Sequence, residues 1–135
     1  MATEKFVYLT LQEAVKFHVL YMRKVGETRF GVFDKTLIES ALARPRQAAR
    51  YENADLIRQA ATLCFGLIKN HPWEGGNKRT ATFLTNLFLK RNGWRITAPV
   101  SNLVKMVLAV EFDRWKVDEI ENWLKERVKK SNEKE

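Results

Sequence analysis

The chain has 135 residues, 45% of them hydrophobic, with 24 Lys and Arg against 16 Asp and Glu, and reads as one basic domain with an ordinary core. No apolar run nears the roughly 20 residues that a bilayer-spanning helix takes, which speaks against a membrane protein, and the acidic, h-region-free N-terminus speaks against a secretory signal. A single Cys64 excludes an intrachain disulfide and reads as a buried thiol, so a cytoplasmic location is expected.

The expected fold is all-α: a compact single-domain bundle of about six helices behind a short extended segment at residues 6–9. Thr10 opens the first helix, because Thr10 and Glu13 make a capping box and Leu11, Val15, His18 and Met22 follow at spacings of three and four. On that apolar stripe His18 reads as a core histidine, and Gly26 ends the helix. Asp34 caps a second helix through Leu37, Ile38, Ala41 and Leu42. Pro45 predicts its stop near Arg44, followed by an irregular basic stretch to Tyr51. A third helix over 55–70 carries Ile57, Ala61, Cys64, Phe65 and Ile68 on one face and is ended by Pro72. A fourth, with Asn77 as N-cap, runs to about residue 92 and reads as the central helix. Two more follow at 100–112 and 117–128, with Trp94, Trp115 and Trp123 as packing residues, and residues 129–135 read as a disordered tail.

The net charge of +8 is not spread evenly. Residues 69–95 hold Lys69, Lys78, Arg79, Lys90, Arg91 and Arg95 against Glu74 alone, a net +5. Cations are disfavoured in the first turn of a helix, yet Lys78 and Arg79 occupy that turn behind a Gly-Gly pair. The pattern makes sense where an anion binds: amides of Gly75, Gly76 and Asn77 form a nest, and the two cations add charge-assisted hydrogen bonds. His71, held outside the helix by Pro72, is placed to serve as a general base beside bound phosphate; as a helix C-cap bonded to a carbonyl it has a purely structural alternative, and position alone leaves both open. This clustering suits a nucleotide-phosphate pocket better than a nucleic-acid footprint. Zinc-spaced His/Cys clusters, P-loops and GxGxxG runs are absent from the sequence.

His71-Pro72-Trp73-Glu74-Gly75-Gly76-Asn77-Lys78-Arg79-Thr80-Ala81 resembles the signature of the Fic/Doc superfamily, and Lys78 followed by Thr-Ala resembles its Doc (death-on-curing) toxin branch. The resemblance covers about residues 6–127. It implies the Fic/Doc fold and transfer of part of a nucleotide to a protein hydroxyl. In the Doc branch this is the γ-phosphoryl group of ATP, with Mg²⁺, given to a translation factor such as elongation factor Tu, which arrests translation. Carried over by position, His71 activates the hydroxyl, Gly76, Asn77, Lys78 and Arg79 hold the phosphates, and Arg44 and Pro45 belong to the flap that aligns the target. A small Phd-like antitoxin covering the active site is the implied partner. The family's magnesium-binding acid falls at Gly75, so Glu74, one residue earlier, is the only candidate ligand in the motif. AMP transfer is the alternative within the enzyme class, and loss of metal at Gly75 leaves a third reading, a catalytically impaired binding protein of the same fold.

Overall fold

The computed structural model describes residues 5–29, 31–32, 34–73 and 75–131. Six helices account for most of them: α1 (Leu11–Lys24), α2 (Lys35–Glu52), α3 (Leu56–Asn70), α4 (Asn77–Arg91), α5 (Val100–Glu111) and α6 (Val117–Arg127). The all-α, single-domain expectation holds. Among the described residues no helix is long and apolar enough to cross a membrane.

The first three starts have local causes. The Thr10 hydroxyl accepts from the Glu13 amide at 3.1 Å while the Glu13 carboxylate accepts from the Thr10 amide at 3.0 Å, the reciprocal pair read from the sequence. Asp34 and Asp55 cap α2 and α3 by accepting from Thr36 and Arg58 amides, each at 2.9 Å.

Three expectations are corrected. The helix does not stop at Arg44: α2 continues through Pro45 to Glu52 and ends on Asn53 in the left-handed region (φ 53°, ψ 38°). A mid-helix proline forfeits one backbone bond and crowds the preceding turn, a cost of about 3 kcal/mol. Here Ile38, Ala41, Pro45 and Ala48 are all buried at helical spacing, and the packing of that stripe against α3 carries the helix across the break. The approach is close, since a Cβ on Gly66 of α3 would stand 3.3 Å from the Ala41 Cα. The second correction is that α3, not α4, is the central helix. Nine of its residues are buried, and it packs against α2, α4, α5 and α6.

Thirdly, the C-terminal segment is ordered beyond α6. Val128–Lys130 forms β2, antiparallel to β1 (Trp94–Ile96), in the register Trp94 to Lys130, Arg95 to Lys129 and Ile96 to Val128. The Ser131 amide donates to the Gly93 carbonyl at 2.9 Å. Residues 132–135 of the expected tail lie outside the described residues.

The N-terminal lead-in has neither helix nor strand and is tied down by side chains. Asn92 accepts from the Val7 amide at 2.8 Å and donates to its carbonyl at 2.9 Å, while the Tyr8 hydroxyl donates to Gln59 at 3.0 Å and its ring stacks on Phe88. Trp123 is buried, and Trp94 and Trp115 pack against the same core as partly buried residues.

Candidate active site

The motif loop joins the end of α3 to the start of α4. His71 is the C-cap of α3 in the left-handed region (φ 47°, ψ 57°) rather than the extended region a following proline favours. Holding a non-glycine residue there costs about 1–3 kcal/mol, a kind of strain that collects at functional sites. Trp73 anchors the loop: it is 2% exposed, and its ring stacks on His18 with centroids 3.9 Å apart and planes 12° from parallel. His18, fully buried as expected for a core histidine, meets the Thr80 hydroxyl through Nδ1 at 2.6 Å. One imidazole therefore ties α1 to both the loop and the first turn of α4.

The start of α4 lies one residue earlier than the sequence suggests. Gly76, not Asn77, is the N-cap, and its φ of 72° is a conformation that glycine adopts without penalty. Asn77 has another task. Its Oδ1 accepts from the Trp73 amide at 3.0 Å and its Nδ2 donates to the Trp73 carbonyl at 2.9 Å, so the side chain closes the loop upon itself. With one side-chain N–H and the carbonyl oxygen engaged in the loop, Asn77 has its backbone N–H and its second side-chain N–H to offer a phosphate.

No side chain caps α4, and no acid stands in its first turn. Lys78 and Arg79 project from it half-exposed, at 50% and 54%. Arg79 pairs with Glu27 at 3.0 Å, and Lys78 pairs with Glu111 at 3.3 Å. The Arg79–Glu27 pair is exposed on both sides, a kind worth about 0–1 kcal/mol and little enough for a polyphosphate to displace.

Glu111 is the residue that sequence reasoning missed. It ends α5, its side chain is 21% exposed, and its second oxygen lies 3.9 Å from Nε2 of His71. It directly follows the stretch Val107-Leu108-Ala109-Val110, but no spacing rule connects position 111 to 71 or 78; only the tertiary fold does.

Two other expected site residues are placed differently. Arg44 and Pro45 lie within α2, where Pro45 is buried and Arg44 lines a cleft of about 230 Å³ with Tyr51, Glu52, Arg58 and Val117, none of them motif residues. The segment that does touch the motif is the end of the α1–α2 connection: Val32 forms a bridge with Trp73, and the Asp34 amide donates to the Pro72 carbonyl at 3.2 Å. Glu74 lies outside the described residues. At Gly75 the backbone leaves no room for an acid, because a Cβ would stand 2.5 Å from the Arg29 carbonyl oxygen. Among the described residues no group of three or more His, Cys, Asp or Glu side chains is arranged to hold a metal ion.

A helix end capped by a left-handed histidine, a glycine-capped helix start carrying two cations, and an aromatic anchor between them form a recognisable unit. The Fic/DOC family model matches residues 8–89, which span this unit together with α1, α2 and α3. The chain belongs to the Fic/DOC family. No curated protein matches it. Membership supports a Fic-type, nucleotide-transferring function for this Fic/Doc chain.

Proposed function

We propose that this Fic/Doc protein is a toxin of the Doc branch that transfers the γ-phosphoryl group of ATP to a hydroxyl of a protein target. Elongation factor Tu is the kind of target in view, and a small Phd-like antitoxin covering the site is its restraint. The observation that carries the reading is Lys78 in the first turn of α4, beside Arg79, at a helix start with neither a side-chain cap nor an acid. Lys at this position resembles the Doc branch, whereas Fic enzymes that transfer AMP have Gly there.

In this reading, Gly76 and the first amides of α4 cradle the phosphates, and Lys78 and Arg79 neutralise them. His71 accepts the proton of the target hydroxyl. The freed oxygen bonds to the γ-phosphorus, the bond to the β–γ bridging oxygen breaks, and ADP leaves. Phosphoryl transfer asks mainly for positioning and charge neutralisation, which these residues supply. Val32, bridged to Trp73, replaces Arg44 and Pro45 as the point beside the motif where the target chain is aligned. A protein-built magnesium site at position 75 does not fit, since the Arg29 carbonyl occupies the space an acid would need, and no step here runs through the metal.

The test is incubation with ATP and Mg²⁺ in a bacterial lysate, followed by mass analysis of the modified proteins. A phosphoryl increment that vanishes in His71→Ala supports the proposal. An adenylyl increment replaces it with AMP transfer, and no modification under any metal points to an impaired binding protein.

A further inference from the structure

Glu111 joins the two halves of the motif from a third helix. His71 ends α3, Lys78 lies in the first turn of α4, and the carboxylate at the end of α5 faces both, with Oε2 3.9 Å from His71 Nε2 and Oε1 3.3 Å from Lys78 Nζ. Its placement is built into the fold. Two residues on, Asp113 turns the chain with a φ of 62° and pairs with Lys69 near the end of α3 at 2.5 Å, beside the direct packing of α5 on α3 that brings the two helix ends together. Glu111 itself is the least exposed of the three interacting side chains, at 21% against 52% for His71 and 50% for Lys78.

We propose that Glu111 is a positioning residue for the transfer reaction, acting through His71 and Lys78 rather than on the substrate. The inference rests on the phosphotransfer reading. A carboxylate facing Nε2 stabilises the imidazolium that forms when the ring takes the hydroxyl proton, and its other oxygen keeps the phosphate-binding ammonium on the same side of the loop. The same charge opposes nucleotide binding, because it is an anion beside the lysine that must receive phosphate. Glu111 therefore favours the chemical step and disfavours binding, and its removal leaves an unusual kinetic signature.

Glu111→Gln keeps the shape and removes the charge. The expected result is a kcat lower by about tenfold or more, with a KM for ATP that is unchanged or lower. Glu111→Asp, which keeps the charge on a shorter arm, recovers part of the loss and controls for folding. A second arm does not depend on turnover. The chain has two histidines, so His71→Ala assigns their ring-nitrogen resonances. Those of His71 should move in Glu111→Gln while those of His18 stay. An unchanged or higher kcat in Glu111→Gln would overturn the proposal by showing Glu111 to be a mere competitor for Lys78. Superimposable His71 resonances would overturn it as well. A wild-type protein that transfers no phosphoryl group removes the phosphotransfer reading instead, and the resonance arm still decides whether Glu111 acts on His71.

Discussion

The Asn77 side chain forms a closed ring with the backbone of Trp73, accepting its amide at 3.0 Å and donating to its carbonyl at 2.9 Å. Those two bonds hold the glycine pair in the arc that presents the α4 amides. Asn77→Ala leaves two partly buried backbone groups unpaired, at about 1–3 kcal/mol, and should lower the urea midpoint accordingly. Asn77→Asp keeps the acceptor but loses the donor, so it should fall between wild type and Asn77→Ala. Equal stability of all three would show that the ring does not hold the loop.

Much of this was legible in the sequence because it is local. The Thr10–Glu13 capping box, the Asp34 cap and the proline stop after α3 depend on residues a few positions apart, and all are present. Pro45 misled for the opposite reason: its local preference to end a helix is outweighed by the buried stripe from Ile38 to Ala48, a tertiary effect. The site divides along the same line. The unusual charges at Lys78 and Arg79 marked it, whereas Glu111 and Val32 reach it only through contacts between helices and loops distant in sequence. The β1–β2 pair was missed because three-residue strands carry too little alternation to register.

Gly75 stands where the resemblance to the Fic/Doc signature expects an acid, and steric fit accounts for it. A Cβ there meets the Arg29 carbonyl at 2.5 Å, so Gly75→Ala and Gly75→Asp should both destabilise, each by about 1–3 kcal/mol, measured by thermal or urea unfolding. Gly75→Asp should not raise transfer activity above wild type. A gain in activity without loss of stability would show that the loop can be re-registered to admit an acid.

The His18–Thr80 bond, at 2.6 Å between two fully buried side chains, couples α1 to the first turn of α4. Thr80→Val removes this partner of His18 and should cost about 1–3 kcal/mol. Because Trp73 stacks on the same ring, a double-mutant cycle of Thr80→Val with Trp73→Leu should give a coupling of about 0.5 kcal/mol or more. Strict additivity would mean that the imidazole does not link the two.

Stability should fall on the acid side. The Glu13 carboxyl lies below its ordinary 4.5, chiefly because the Thr10 amide and then the Arg91 guanidinium donate to its ionised form. Asp34 lies below 3.8 through the Thr36 hydroxyl and amide, and Asp113 below 3.8 through the Lys69 ammonium. A lowered folded-state value contributes stability above the unfolded value that is lost as pH falls through the folded one. Urea midpoints should therefore hold down to about pH 5 and drop below about pH 4. A midpoint that rises on acidification would contradict these assignments.

The central claim is that Lys78, Arg79 and the uncapped start of α4 hold ATP for His71-dependent transfer of its γ-phosphoryl group. Its most direct measurement uses ATP labelled at the γ-phosphorus, in parallel with ATP labelled at the α-phosphorus, incubated with bacterial lysate and either wild-type protein or His71→Ala. The account predicts γ-label on a protein target with wild type alone and no α-label. Transfer of α-label, or γ-label transfer that persists in His71→Ala, would contradict it.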